Sequence, residues 1–369
     1  SQLAAAEVRG FQSAGVAATA KHFPGLGNTP VDTHLALAVI DGPLDYLWEH
    51  DLIPFRAAVA EGVDAVMMTH VKFAALDADH PATLSPAVIQ GLLRDEIGYQ
   101  GLVCTDCMEM KAVVDHYGSG EAAVLAALAG EDILLVSHTP QVQEASYNAL
   151  LDAVRSGRLP MATVDAAVAR IQAVKARVQI TEPPAPAAIR APEHLAVMRQ
   201  AAEAGVTLVR DDAGLLPLNS ADGVGVVLVE FSSYLDSEVM EGSSTTGFAS
   251  RLRARLPHTQ TVALPPDEFS PEQAAEALRM AESADVFIVA TRNAHLLPAQ
   301  QELARDLLAA SKTILLCLRN PYDAGVLRNA NAVLCTCGDS SPSLDAAVGA
   351  LLGDFTPSGT LPAPLPDEK

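Results

Sequence analysis

Aromatic residues are scarce, at 4% of 369 positions, although 49% of the chain is hydrophobic. Ala, Leu and Val must then supply most of the core, which suits helices packed on sheets better than an all-β body. Basic residues are also few: 24 Lys and Arg stand against 45 Asp and Glu, a formal charge of −21. That balance argues against nucleic acid or an anionic membrane surface as a partner, since both are recognised by clustered Lys and Arg. No apolar run approaches the roughly 18 to 20 residues of a membrane span, so a soluble chain is expected. The five cysteines, Cys104, Cys107, Cys317, Cys335 and Cys337, are odd in number and scattered. They make no disulfide framework, and a reducing, cytoplasmic compartment is expected. Cys335 and Cys337 have no second Cys or His pair nearby; a buried strand is expected there, and no metal or cofactor is implied. The chain opens Ser-Gln-Leu, without an initiator Met, a basic leader or an apolar signal segment, which points to processing or truncation.

A chain of this length exceeds what one hydrophobic core serves, so two domains are expected. In the first half, apolar strand-like runs cover 16–20, 65–69, 102–105 and 133–136, separated by turns and helical patterns such as 87–97 and 121–129. Because the runs do not alternate, the strands read as buried on both faces, as in a parallel sheet with helical crossovers. Four such units form half of a (β/α)₈ barrel, whose other half is expected upstream of Ser1; an open, doubly wound sheet is the alternative. This half-barrel is assigned to 1–181. Glu182-Pro-Pro-Ala-Pro-Ala-Ala-Ile-Arg-Ala-Pro192 is dense in Pro and Ala without periodicity, and 182–196 reads as an extended linker. Strand candidates at 206–209, 224–229, 286–290, 314–318 and 333–336 then alternate with helices such as 271–282 and 299–310. They predict a three-layer α/β/α sandwich over 197–369. The fold class expected is therefore the C-terminal part of a TIM-type barrel followed by that sandwich.

The densest polar constellation is Lys21-His-Phe-Pro-Gly-Leu-Gly-Asn-Thr-Pro-Val-Asp-Thr-His34, directly after the first strand. In parallel α/β proteins, ligands bind at the carboxyl ends of strands. Asp32 and His34, two residues apart in a turn, can pair so that the carboxylate fixes the imidazole tautomer and raises its basicity. Asp106 follows the apolar run 102–105. A carboxylate there points into a barrel mouth, or it caps the next helix; its position leaves both open. A carboxylate on one strand end and a His–Asp pair on another loop suit displacement at an anomeric carbon, with one group attacking and the other protonating the departing oxygen.

The motif from Lys21 to His34 resembles the signature KH(F/x)PGHGx₄D(S/T)H of the β-N-acetylglucosaminidase branch of glycoside hydrolase family 3. Met67-Met-Thr-His-Val71, Pro81-Ala-Thr-Leu-Ser-Pro86 and Gly101-Leu-Val-Cys-Thr-Asp106-Cys-Met-Glu-Met-Lys-Ala112 are similar to the same branch in order and spacing. So are Arg319-Asn-Pro-Tyr-Asp323 and Gly359-Thr-Leu-Pro362 in the second half. The resemblance implies Asp106 as nucleophile, His34 as general acid/base and Asp32 as the group that orients His34. It further implies Lys21 and His22 as substrate-binding residues, with His70 lining the pocket or packed as a hydrogen-bonded core histidine.

Two positions depart from the pattern: the second His of Pro-Gly-His-Gly is Leu26, and the residue after the nucleophile, often Asp, is Cys107. The family's first four barrel strands, which carry an Asp and an Arg that grip the sugar, have no counterpart here. The activity implied is a retaining exo-β-N-acetylglucosaminidase acting on cell-wall-derived or chitin-derived saccharides through a covalent glycosyl-Asp intermediate. A phosphorylase using the same groups and a truncated, non-catalytic sugar-binding remnant are the alternatives. The partner expected is a small saccharide. Oligomeric state is not indicated.

Overall fold

The computed structural model describes residues 1–26, 29, 36–178, 185–218, 225–232, 247–310 and 312–366. The chain divides into two compact units, Ser1–Pro183 and Pro184–Lys369.

The first unit is built on four parallel strands, β1 (Thr19–Phe23), β3 (Ala65–Met68), β5 (Leu102–Cys107) and β6 (Ile133–Leu135), in the order β1-β3-β5-β6. Each new strand is laid beside the previous one, and the order never reverses. That is the progression of a β/α barrel; a doubly wound sheet would switch direction partway. Phe23, Val66, Met68 and Val103 are buried with Leu52, Ile89, Leu92 and Leu93 from the intervening helices, which accounts for the unbroken apolar runs. A second, two-stranded parallel sheet joins β2 (Ala38–Ile40) to β4 (Val71–Phe73). Its three-residue strands are too short to show a period in the sequence.

Charged groups at the amino ends of these strands are neutralised internally. Asp132, just before β6, accepts from Arg94 at 3.1 Å, from Arg170 at 2.8 Å and from the Val103 amide at 2.9 Å. Asp64, just before β3, pairs with Arg177. Arg170 and Arg177 both come from the helix Met161–Arg177, so these ion pairs hold that helix beneath the sheet. The amino face of a barrel is where stabilising contacts of this kind belong.

In the second unit six strands lie in the order β7-β12-β11-β10-β8-β9: β7 (Thr207–Asp211), β8 (Val226–Phe231), β9 (Gln260–Leu264), β10 (Val286–Thr291), β11 (Thr313–Cys317) and β12 (Ala332–Cys335). All pairings are parallel except that of β7 with β12. The alternation of strand side chains makes two cores. Leu228, Ile288, Leu316 and Leu334 face one, shared with Leu344, Ala347 and Leu351 of the helix Ser341–Leu352. Val227, Phe287, Leu315 and Val333 face the other, shared with Leu303, Ala304 and Leu307 of the helix Pro298–Leu307. Apolar residues on both faces oblige helices to cover both, which is why the unit has three layers.

Three expectations need adjustment. The stretch read as a linker, 182–196, enters the helix Pro192–Gly205, with Pro at the first turn, where its missing N–H costs nothing. The first strand begins at Thr19, not at 16, and extends over Lys21 and His22. Cys335 lies in buried β12, but Cys337 is exposed, at φ 52°, beyond the strand. Among the described residues no helix is long and apolar enough to cross a membrane, and no cluster of three or more His, Cys, Asp or Glu could hold a metal ion.

Candidate active site

The carboxyl ends of β1, β3 and β5 bring together His22, His70 and Asp106. Two of these strands are irregular where they carry polar groups. β1 pairs Lys21 with Met67 and then Phe23 with Met68, so His22 is an extra residue in the strand. β5 pairs Cys104 with Ile133 and then Cys107 with Leu135, so Thr105 and Asp106 oppose Leu134 alone. Such bulges re-aim side chains that a regular strand would send elsewhere. The peptide bonds Lys21–His22 and Phe23–Pro24 are cis.

Asp106 and His22 meet across the sheet, with His22 Nε2 3.3 Å from Asp106 Oδ2; their side chains are 20% and 26% exposed. The other carboxylate oxygen, Oδ1, accepts the following Cys107 amide at 2.7 Å. Asp106 therefore presents a carboxylate anchored at one oxygen and open to solvent at its side chain. The helix-cap alternative does not hold. The next helix is Lys111–Tyr117, with Met110 at its N-cap and no side-chain cap, four residues beyond Asp106.

Lys21 is exposed on β1. Its ammonium is felt at Cys104, whose thiol is pushed up to about 12, chiefly by burial and further by Glu131, Asp106 and Asp132, with Lys21 opposing. Cys104 is thus a neutral core residue beside the site. His70 is 1% exposed. Its Nδ1 lies 2.8 Å from Thr83 Oγ1 and its Nε2 3.0 Å from the Cys107 carbonyl. Of the two roles left open for His70, a wall of the sugar pocket or a hydrogen-bonded core histidine, this geometry matches the second. Asp32 and His34 lie outside the described residues, as do Gly27 and Asn28.

Two contributors, Thr83 and Glu109, lie within the family-like segments 81–86 and 101–112, but nothing in the sequence gives either of them a role. Thr83 is a fully buried residue of an ordinary turn segment. Glu109 accepts the backbone amides of His138 at 2.6 Å and Thr139 at 2.9 Å, tying the loop after β5 to the loop after β6. Against a desolvation cost, the Thr139 side chain, the two backbone amides and the nearby His138 ring hold the Glu109 carboxyl below its ordinary range. A lone Glu in a loop gives no periodicity or spacing from which this role could be read.

Family models describe both units. The Glycosyl hydrolase family 3 N terminal domain matches residues 1–174, and the Glycosyl hydrolase family 3 C-terminal domain matches residues 206–369. The chain belongs to glycoside hydrolase family 3. Among its relatives in the family is the Beta-hexosaminidase of Stenotrophomonas maltophilia (strain K279a), 47% identical over 145 residues, which cover 39% of this chain and 42% of that protein. Beta-hexosaminidase A of Pseudoalteromonas piscicida is 31% identical over 238 residues, 59% of this chain and 40% of that protein. The matches thus span about two fifths of these relatives' length. A solved family 3 beta-N-acetylglucosaminidase from Paenibacillus sp. str. FPU-7 superposes with a TM-score of 0.88 at 35% identity, over 98% of this chain and 70% of that one. The family 3 fold is therefore common to both units described above.

Proposed function

We propose that the protein containing this chain is a retaining exo-β-N-acetylglucosaminidase that cleaves terminal N-acetylglucosamine from cell-wall-derived or chitin-derived saccharides. The observation that carries this reading is Asp106: a half-open carboxylate at a barrel-strand end, held by the Cys107 amide at Oδ1 and facing His22 at Oδ2. Oδ2 attacks the anomeric carbon as the glycosidic C–O bond breaks, and the departing oxygen takes a proton from a general acid. Water then attacks the glycosyl-Asp106 ester and returns the free carboxylate. The family resemblance assigns the acid/base to His34, tuned by Asp32. Lys21 and His22 are assigned to the sugar hydroxyls. The names of the relatives support N-acetylhexosaminides as the substrate class.

The test is turnover of an aryl β-N-acetylglucosaminide by the full-length protein and its Asp106→Ala variant. A loss of at least about a thousandfold is expected on removing the nucleophile. Retention of more than a few per cent of turnover overturns the assignment. Adding inorganic phosphate should leave N-acetylglucosamine as the product; its 1-phosphate would mark a phosphorylase instead.

A further inference from the structure

We propose that His70 is the positioning residue for Asp106, standing in for a strand partner that β5 lacks at this point; the inference rests on the nucleophile role proposed above. β3 and β5 pair only as far as Met67 with Cys104. On its other side β5 bulges away from β6 between Cys104 and Cys107. Asp106 therefore sits in the least regular stretch of its strand, where a nucleophile needs the firmest support. A misplacement of about 1 Å at a reacting atom can cost on the order of 100-fold in rate.

Side chains restore what the ladder omits. His70 Nε2 lies 3.0 Å from the Cys107 carbonyl, which can only accept, so Nε2 carries the proton and donates. On the same peptide unit, the Met108 amide donates to the Leu135 carbonyl of β6 at 2.8 Å. The Cys107–Met108 peptide is thus gripped from β6 on one side and by His70 on the other. Thr105 Oγ1 adds a bond from the Leu135 amide at 2.9 Å. His70 is held in turn: with the ring proton on Nε2, Nδ1 accepts from Thr83 Oγ1 at 2.8 Å, an oxygen that also lies 2.8 Å from the Thr69 carbonyl.

The consequence reaches the carboxylate through Cys107, whose N–H anchors Asp106 Oδ1 at 2.7 Å while its C=O is held by His70. Fixing that residue at both ends fixes which oxygen is tied down and which one faces His22. Because His70 is 1% exposed, it acts through the backbone and not on the sugar.

The experiment compares His70→Gln with His70→Asn in the full-length protein. Gln carries an amide donor near the position of Nε2 and preserves the bond to Cys107; Asn carries one near Nδ1 and does not reach. The readouts are kcat and KM on an aryl N-acetylglucosaminide, the rate at which a fluorinated N-acetylglucosaminyl fluoride labels Asp106 by intact mass and peptide mapping, and amide exchange across 104–110. His70→Asn is expected to lower kcat and labelling by about 100-fold, with KM within about threefold and faster exchange. His70→Gln is expected to stay within about tenfold of wild type. Thr83→Val, which removes the hydroxyl beside Nδ1 and leaves the bond from Nε2 to Cys107, should fall between wild type and His70→Asn. Equal rates for the Gln and Asn variants, with wild-type Asp106 labelled, overturn the positioning role alone. Labelling at a residue other than Asp106 overturns the nucleophile reading and the positioning role with it.

Discussion

The carboxyl ends of the two sheets carry the same kinds of side chain and use them in opposite ways. In the second unit, Glu230 at the end of β8 pairs with Arg292 at 2.9 Å, and Arg292 reaches Asp339 at 3.4 Å and the Phe231 carbonyl. Beside them the fully buried Asp323 accepts from Thr291 at 2.7 Å and from His295 Nδ1 at 2.8 Å. These charges are taken up by other protein groups. In the first unit Asp106 keeps 26% of its side chain exposed, with a histidine 3.3 Å away and an amide behind it. A carboxylate at a strand end is therefore not a functional sign in itself. What sets Asp106 apart, and suits it to the role proposed for it, is that it is anchored by an amide and left partly open to solvent.

The largest effect that sharpens this contrast is on chemistry. Asp106→Ala should lower turnover by at least about 1000-fold, equivalent to about 4 kcal/mol of barrier, while the melting temperature stays within about 2 °C, because the carboxylate is half solvated. A variant that melts much earlier would show Asp106 to be structural after all. Arg292→Ala should behave in the reverse sense. Removing one partner of a buried ion pair strands the other charge, at about 3–5 kcal/mol, read from the urea transition of the second unit. A change under about 1 kcal/mol would mean that its pairing is no firmer than a surface contact.

A third carboxylate tests the case with neither use. Both oxygens of Glu131 are buried with no hydrogen-bond partner among the described residues. Burial, and secondarily Asp132, raises its carboxyl well above the ordinary range, with Arg94 opposing. The folded protein then holds this proton longer than the unfolded chain, so the contribution is full below the unfolded pKa and is lost as pH rises toward the folded value. Glu131→Gln should leave stability unchanged near pH 4 and raise it progressively toward pH 7, by at most about 1.4 kcal/mol per pH unit. Thermal unfolding at several pH values checks this; a constant difference would show that Glu131 ionises normally. The smallest effect is at a surface helix start. Ser270 accepts from the Gln273 amide while the Gln273 side chain accepts from the Ser270 amide, a capping box. Ser270→Ala should cost about 1 kcal/mol, with no change in turnover.

Apolar strands buried on both faces were legible because nothing polar interrupts them, as in β8, β10, β11 and β12. The elements that escaped were those whose residues serve another purpose or are half solvated. β1 runs on through Lys21 and His22, which break the apolar run that would mark a strand. β9, Gln260–Leu264, is an edge strand with one buried residue and no strong pattern. Local rules fail most readily where a strand carries functional groups.

For the site, sequence determined the residue types and their order: a carboxylate after an apolar strand, a polar loop after another, and a spacing shared with family 3. These are linear properties, fixed by covalent connectivity. Tertiary structure alone decided that Asp106 is no helix cap, that His22 faces it, and that His70 holds the backbone behind it. Each of those facts depends on which strands lie side by side and where they bulge. His22 and His70, about 84 and 36 positions before Asp106, come beside it through parallel pairing, something no local pattern in the chain can encode.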